Sequence, residues 1–322
     1  MRRLLPLIVV AACGGTSKPA PTAPLPEESK APASPAAKAE PQPAPAAPTP
    51  APPQGPVEVK IPASPTTVKV VSGGKGKKEA LRYTIKQGAK QGVELAMDFS
   101  GKQDTDEQVV PTIVLIGEAE TRSVDKDGNA EYTVTVTGTD ARSVNGSQVP
   151  VEKFKAVLGS LAGLTIGGTI GTTGVAGDVT LRIEKPQENA ADTLELLRLT
   201  FPTLPVLPKE AVGVGAKWQS TTIAKIADRL DVTQVTDYEL VAHTGTTWTI
   251  KGTTKVSGKD QSIEDSKVSS ISGSGSSETT IAAGVLYPTH KASLETQFKA
   301  QEKDKSTQFT IRVGGAVTPK TP

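Results

Sequence analysis

The sequence predicts a mainly β fold with two short helices (α+β), built as one large curved antiparallel sheet or as an open or half barrel. Beyond Pro65, apolar and polar residues alternate with period two, which is typical of strands with one covered face. Turn sequences separate the alternating stretches, at Asp127–Asn129, Asn145–Gly146 and Thr244–Gly245. Two other stretches space their apolar residues by three and four, which predicts amphipathic helices.

Each predicted strand places its apolar residues on one face. The groups that share a face are Leu81, Tyr83 and Ile85; Val93, Leu95, Met97 and Phe99; Tyr132, Val134 and Val136; Trp248 and Ile250; Leu294, Thr296 and Phe298; and Phe309, Ile311 and Val313. The polar run Ser272–Ser277 fits a flexible tip or a strand, and we favour the strand because alternation resumes at Thr279. His243 is expected to face solvent, opposite Tyr238, and His290 to lie in a turn or at a strand start.

Two amphipathic helices interrupt the strands. The first is predicted over Val151–Leu161 and the second over Asn189–Leu199, where Asn189 can act as N-cap. Pro202 is expected to end the second helix, because a proline disfavours the helical backbone of the residue before it.

The folded region is predicted to be a single β-rich domain of residues 57–322. Strand-rich stretches flank the helical middle, which suggests two similar halves, residues 66–187 and 201–315. The identity between the halves is too low to predict a duplication.

Residues 1–12 predict a bacterial lipoprotein signal peptide. Arg2 and Arg3 precede an apolar run that ends at Ala12, too short for a bilayer span of about 20 residues. The sequence Val10-Ala11-Ala12-Cys13 resembles the lipobox, whose cysteine accepts a diacylglyceryl group before cleavage, and Cys13 is the one cysteine of the chain. The alternative is an ordinary cleaved secretory signal that leaves a free thiol.

The lipobox resemblance implies a location and a first partner. The mature protein would be anchored in the cell envelope through Cys13, carrying fatty acyl groups such as palmitate. Gly14, in place of an aspartate after the cysteine, favours the outer membrane over the inner one. The expected partners are the membrane and, beyond it, a lipid or another envelope protein.

Residues 13–56 predict a disordered Pro/Ala-rich tether. Of the 26 prolines, 14 fall in the 43 residues from Gly14 to Pro56, which also lack aromatic residues. Proline lacks the backbone N–H that helices and sheets require. The segment also has too few large apolar side chains to offset the entropy lost when a chain becomes ordered. At about 3.1 Å per residue the tether reaches roughly 130 Å. We interpret it as a spacer; the alternatives are a ligand for a proline-binding module and a segment embedded in the cell wall.

Composition excludes several classes of function. The net charge of +2 gives no basic field for nucleic acid, and one cysteine excludes internal disulfides and thiolate zinc sites. Only two histidines are present. We therefore expect no cofactor, no metal and no catalytic residue, with a hydrolase as the remaining enzymatic alternative.

Two motifs resemble ligand loops. The acidic stretch Asp125–Asn129 is too short for a calcium loop and predicts a hairpin turn. The glycine run from Gly163 to Gly177 matches no nucleotide-binding pattern and indicates a sharply bent strand, or a place where a ligand or a backbone approaches closely. The spaced prolines Pro202, Pro205 and Pro208 predict an extended connector rather than a peptide ligand.

Three short segments resemble a family of uncharacterised bacterial lipoproteins: Phe201–Pro205, Val212–Trp218 and Asp125–Ala130. These match the family's "LP" segment, its "VGxG…W" strand entry and its "DxDG" hairpin. The resemblance implies a β-rich envelope domain and carries no activity and no functional residues. The half-barrel lipoprotein carriers are a more distant likeness, by architecture alone.

The sequence thus predicts a lipid-anchored envelope lipoprotein whose β domain binds a ligand or supports structure without catalysis. The alternative is a lipid or lipoprotein carrier with an apolar groove between curved sheet and helices. The residues proposed for that groove are Phe154, Leu158, Ile166, Ile170, Trp218 and Trp248.

Overall fold

The computed structural model describes residues 55–187, 189–226, 229–285 and 287–320. The predicted signal peptide, Cys13 and nearly all of the predicted tether lie outside these residues. The strands are β1 Val57–Ile61, β2 Thr66–Ser72, β3 Lys75–Ala80, β4 Lys90–Gln103, β5 Asp106–Val109, β6 Thr112–Val124, β7 Ala130–Arg142, β8 Thr165–Ile170, β9 Ala176–Ile183, β10 Ala211–Val214, β11 Lys217–Ile226, β12 Leu230–Thr244, β13 Thr247–Ser257, β14 Gln261–Ile263, β15 Ser266–Ala282, β16 Thr289–Glu302 and β17 Lys305–Lys320. Two helices, α1 Val151–Leu158 and α2 Ala190–Thr200, and one 3-10 turn, Gly159–Leu161, complete the fold.

One antiparallel sheet of 15 strands dominates the structure, which confirms the predicted fold class. Its order is β1-β9-β8-β7-β6-β4-β17-β16-β15-β13-β12-β11-β2, with β5 beside β4 and β14 beside β15. Two meanders, one before and one after the helical middle, are joined side by side where β4 pairs with β17. Strands β3 and β10 form a separate two-stranded sheet.

The sheet is rolled so that its two ends meet. A flat sheet of 13 strands would be about 58 Å wide at 4.8 Å per strand. Yet the end strands β1 and β2 are joined by only the four residues 62–65, whose chain cannot span more than about 18 Å. The roll is open, since β1 and β2 make no ladder with each other in the described part of the chain.

The segment of residues 57–72, here called the seam strand, contains both end strands of the sheet and the four residues that join them. Its first half pairs with β9 and its second half pairs with β11, so the chain changes partner at residues 62–65. A hydrogen bond holds this crossing to each side: Ala63 N donates to Asp178 Oδ1 at 2.7 Å, and Ile223 N donates to the Pro65 carbonyl at 3.0 Å.

The two helices pack against the rolled sheet and confirm the helical prediction. Helix α2 contacts β1, β4, β9 and β17, which belong to different parts of the sheet order, and it buries Leu194 and Leu197 among them. It ends at Thr200, before Pro202, as predicted. Asn189 does occupy the N-cap position, but with a left-handed backbone (φ 67°), so its side chain forms no cap hydrogen bond with the described residues.

The stretch from Leu81 to Ile85 is extended but is not a strand, which corrects the prediction. Leu81 and Tyr83 are buried and Thr84 is exposed, so the alternation predicted the faces correctly. Its backbone forms a hydrogen bond outside any sheet: Tyr83 N donates to the Thr172 carbonyl at 2.8 Å. An alternating pattern predicts which side chains are buried, but it does not predict what buries them. Here loops, and not a neighbouring strand, cover the buried side chains.

Three apolar clusters fill the roll. The first surrounds α1 and α2 and includes Leu158, Ile166 and Leu197. The second gathers Trp218, Tyr238 and Trp248 with their neighbours on β11–β13. The third lies at the other end of the same strands, and Val232 and Val256 belong to it.

Candidate functional site

A cavity of about 710 Å³ lies inside the rolled sheet, bounded by α2 and by residues 201–208, here called the connector. Its volume is in the range of pockets that hold small organic ligands. Residues of the seam strand and the end of β11, Ile223–Ile226, also border it, so the cavity reaches the gap where the sheet is open.

The sequence of β12 explains why space remains at this level. The residues of its covered face are Leu230, Val232, Gln234, Thr236, Tyr238 and Leu240. The first two belong to one apolar cluster and the last two to another, while Gln234 and Thr236 line the cavity between them. Polar side chains in the middle of a covered face thus keep the two cores apart.

Neighbouring strands continue this polar level. Ser220 on β11, Thr236 on β12 and Thr254 on β13 are direct register partners, and Thr222 lies opposite Gln234 in the adjacent row. We call these five residues the polar belt. All of them line the cavity, and the Thr236 and Thr254 hydroxyl oxygens lie 2.9 Å apart, within hydrogen-bonding distance.

The opposite side of the cavity is apolar. It is formed by residues of α2, the connector and strands β4, β8, β9 and β17, among them Leu95, Ile170, Val179, Leu199, Phe201 and Val317. The cavity therefore has two unlike walls, one of hydroxyl and amide groups and one mainly of hydrocarbon, where Arg198, Thr200 and Thr203 are the polar exceptions on α2 and the connector.

Hydrogen bonds hold the connector against β11 and against two neighbouring loops. The Tyr83 hydroxyl donates to the Pro205 carbonyl at 3.0 Å, and Trp218 Nε1 donates to the Val206 carbonyl at 2.8 Å. Leu207 N donates to the Thr173 carbonyl at 2.7 Å. The structure thus has an extended connector where the proline spacing predicted one.

His290 is the one histidine in the cavity wall, near the start of β16. Its side chain is buried, with 2 % of the residue exposed, and its Nδ1 lies 2.7 Å from Thr279 Oγ1. Its Nε2 is buried and has no hydrogen-bond partner among the described residues. Burial lowers the pKa of His290 to about 4, because the charged ring would lose its hydration. The ring is therefore neutral at pH 7.

Two tyrosines beside the cavity are also neutral. The rings of Tyr132 and Tyr287 meet edge to face with centroids 6.0 Å apart, and both residues line the cavity. Burial raises the pKa of Tyr132 to about 12 and holds the pKa of Tyr287 well above its usual range.

The charged side chains of the described cavity wall are paired. Arg198 Nη2 lies 2.7 Å from Glu195 Oε2, and Lys225 Nζ lies 2.5 Å from Asp231 Oδ1. The Lys225 pair is more than half exposed and stands at the rim. The interior surface is thus polar in places but carries no unpaired charge among the residues described.

The six residues proposed from the sequence as a groove lie around the cavity rather than together in its wall. Ile170 lines the cavity. Phe154, Leu158 and Ile166 are packed in the core around the helices, and Trp218 and Trp248 are packed in the second cluster. Their large side chains fill space, whereas a cavity forms where small or polar side chains fail to fill it.

Sequence reasoning missed the polar belt. The signal was present in β12, where two polar residues interrupt a row of apolar residues at every second position. Register between strands, which places Ser220, Thr236 and Thr254 side by side, is not readable from one sequence.

His243 is not solvent-facing, which corrects the prediction. Its ring lies against Trp248, with centroids 5.7 Å apart, and its Nε2 is 3.7 Å from Glu79 Oε2. A bulge between Leu240 and Ala242 shifts the register there, so simple alternation along β12 assigns the wrong face.

The acidic loop is a hairpin turn, as predicted. Asp125 Oδ1 accepts hydrogen bonds from the backbone N–H groups of Asp127 and Asn129, which uses the carboxylate to fix the turn between β6 and β7. Within the described ranges, no three His, Cys, Asp or Glu side chains are grouped so that they could hold a metal ion.

Comparison with known proteins gives a partial match. Residues 201–284 match the model of a family of unknown function (DUF6263). This region comprises the connector and strands β10 to β15, and so includes the whole polar belt. The match agrees with the predicted resemblance to an uncharacterised family and does not show a lipoprotein.

Other comparisons add no function. No curated protein matches the sequence. A solved structure of OmpT, an outer membrane protein of Vibrio cholerae in its in-vitro folded trimer form, aligns with 73% of this chain and 100% of its own at 9% identity. The TM-score of 0.16 is too low to indicate a shared fold. In the described part of the chain, neither helix has the length and apolar character needed to cross a bilayer.

Proposed function

We propose that this protein is a non-catalytic binding module for an amphiphilic, lipid-like molecule, and that it is held in the cell envelope by acylated Cys13. The single observation that carries the proposal is the cavity with two unlike walls, the polar belt on one side and the hydrocarbon of α2, the connector and β17 on the other. An amphiphile matches both walls at once, because its chain gains from leaving water and its polar part keeps hydrogen bonds.

The sheet is open at the place where such a ligand would enter. The cavity reaches the seam strand, and the chain crosses there from one edge of the sheet to the other through residues 62–65. Within the described residues, the backbone of this crossing is held by one hydrogen bond on each side, donated by Ala63 N on one side and accepted by the Pro65 carbonyl on the other. A long flexible chain can pass such a gap without unfolding the cores.

The anchor and the tether would place this opening near a source of lipid. The seam strand begins at Val57, directly after the predicted tether, so the polypeptide that leads to the membrane also borders the cavity. A tether of up to roughly 130 Å would let the domain take up or release a ligand away from the bilayer. Outer-membrane placement and a carrier role remain part of this proposal.

Binding is tested by filling the cavity. A fluorescent acyl-chain probe is titrated into the purified full chain, and into Ala292→Trp, where a bulky ring replaces a small residue that lines the cavity on β16. The matched control is Lys291→Trp, which adds the same ring to the exposed neighbour. We expect saturable binding in the native chain and the control, and a loss of about tenfold or more in Ala292→Trp. Equal probe binding in all three would contradict the proposal, and Ala292→Leu provides a milder filling if the tryptophan variant does not fold.

Anchoring is tested separately. Cys13→Ser should abolish acylation and move the protein from the detergent phase to the aqueous phase after phase partitioning. If processing and partitioning are unchanged, the lipid anchor is wrong, while the cavity proposal stands.

A further inference from the structure

We propose, on the basis of the function proposed above, that the polar part of the ligand is uncharged and bears hydroxyl or ester groups, as in an acylglycerol, and that His290 selects it. The observation behind this is the pairing of every charge in the described cavity wall, together with one buried imidazole nitrogen that has no partner.

The paired charges argue against an ionic head group. An anionic ligand would have to take Arg198 from Glu195, or Lys225 from Asp231, and would leave a carboxylate without its partner. Lys225 is also at the exposed rim, where solvent weakens its attraction. A charge placed deeper would lose its hydration without gaining a counter-ion, which is the costlier arrangement.

The neutral groups argue for a hydroxyl or a carbonyl. The hydroxyls of the polar belt both donate and accept hydrogen bonds, and the amide of Gln234 can do the same. These groups lie in two adjacent rows of the sheet, so several of them can contact a glycerol-sized polar group together.

His290 adds a directional contact on the same inner surface. It stands opposite Thr279 on β15 and Val317 on β17, four residues, or about 13 Å, along the strands from the row of Thr236 and Thr254, so it contacts a different part of the ligand's polar region from the belt. Its Nδ1 is engaged by Thr279, which leaves Nε2 as the nitrogen available to a ligand. Because burial keeps the ring neutral, Nε2 offers one hydrogen bond without adding charge.

The test compares ligands that share one acyl chain and differ in the polar group. A monoacylglycerol, the corresponding fatty acid and the corresponding lysophosphatidylglycerol each displace the fluorescent acyl probe from the native full chain at pH 7.5. We expect the monoacylglycerol to bind about tenfold more tightly than either charged ligand. His290→Leu should reduce this preference by about fivefold or more, measured as the ratio of the monoacylglycerol affinity to the affinity of each charged ligand in the same variant.

Two further variants separate a specific contact from damage to the fold. His290→Gln keeps a polar group at the site and should restore part of the preference, whereas Lys291→Ala, on the exposed side of the same strand, should leave it unchanged. Equal affinity for the three ligands, or an unchanged preference in His290→Leu, overturns this inference and leaves the proposed function intact. Failure of all three ligands and of the probe to bind overturns the proposed function itself.

Discussion

Thr279 and His290 face each other on neighbouring strands β15 and β16, with Thr279 Oγ1 2.7 Å from His290 Nδ1. Both residues are almost completely buried. This contact fixes the orientation of the ring and decides which of its nitrogens is left without a partner. A buried neutral histidine in a cavity wall is thus a consequence of strand register, and it makes the protein sensitive to pH.

The first prediction concerns that sensitivity. The pKa of His290 is lowered to about 4 in the folded protein, against 6.5 for an unperturbed histidine, so the unfolded chain binds more protons between these values. Stability should therefore be highest above pH 6.5 and fall as the pH falls toward 4. From the two pKa values, the contribution lost between pH 7.5 and pH 5.0 is about 2 kcal/mol.

Urea unfolding at these two pH values measures the contribution of His290 to the free energy of unfolding. The difference in unfolding free energy between pH 7.5 and pH 5.0 should shrink by about 2 kcal/mol in His290→Gln, which cannot titrate. All other titratable side chains are present in both proteins, so their contributions cancel in the comparison. An equal loss of stability in the variant and the native chain would show that His290 is not the group responsible.

The second prediction concerns the connector. Tyr83→Phe removes the hydroxyl that donates to the Pro205 carbonyl from a buried position. We expect the free energy of unfolding to fall by about 1–2 kcal/mol, because the carbonyl is left without this donor. Chemical denaturation measures the change, with Thr84→Ala at the exposed neighbouring position as a control near zero. A Tyr83→Phe variant as stable as the control would mean that the connector is not held by this bond.

The third prediction concerns a glycine beneath an aromatic ring. A Cβ atom on Gly252 would lie 2.5 Å from Ser277 Oγ and 3.0 Å from a ring carbon of Tyr238. Gly252→Ala should therefore destabilise the protein by about 1–3 kcal/mol, the range for overpacking. Gly138→Ala is the matched control, since its Cβ would meet nothing nearer than Ile116 at 3.9 Å.

A double variant tests the cause. Adding Ser277→Ala removes the nearest clashing atom, so it should recover part of the stability lost in Gly252→Ala. Thermal unfolding of the four proteins provides the comparison. If Gly252→Ala matches Gly138→Ala, the ring of Tyr238 does not occupy the position described.

The fourth prediction concerns the seam strand. Asp178→Ala removes the acceptor of the Ala63 amide, which is one of the bonds that hold the crossing between the two sheet edges. Because the bond is exposed, global stability should change by less than about 1 kcal/mol. Hydrogen exchange in a peptide covering residues 57–72 should nonetheless become faster than in Asp127→Ala, a change at a hairpin turn. Unchanged exchange there would contradict the description of the crossing as weakly held.

Part of this structure was predictable from the sequence. Alternation with period two predicted the long strands. Apolar spacing by three and four predicted α2 to within one residue at each end, and α1 with its correct start, although α1 ends at Leu158 and a 3-10 turn continues to Leu161. These patterns succeed because covering one face of a strand or helix is a local requirement. The same reasoning wrongly predicted a strand over Leu81–Ile85, where loops, and not a neighbouring strand, bury the apolar side chains.

The cavity was not predictable, because it depends on register between distant strands. Ser220, Thr236 and Thr254 become neighbours only through pairings of β11, β12 and β13, and His290 meets Thr279 in the same way. Sequence reasoning selected large apolar residues such as Trp218 for a groove. In the folded protein these residues form the cores, and the open space lies where the polar belt separates them.

The central claim is that the cavity holds an amphiphile, and mass spectrometry of what the protein retains tests it most directly. The full chain and Ala292→Trp are purified from the same host membranes, and the lipid extracted from each is identified and quantified per mole of protein. We expect roughly one uncharged acyl lipid per native chain, and strong depletion in Ala292→Trp. No retained lipid in a correctly folded native chain, or the same amount in both proteins, would contradict it.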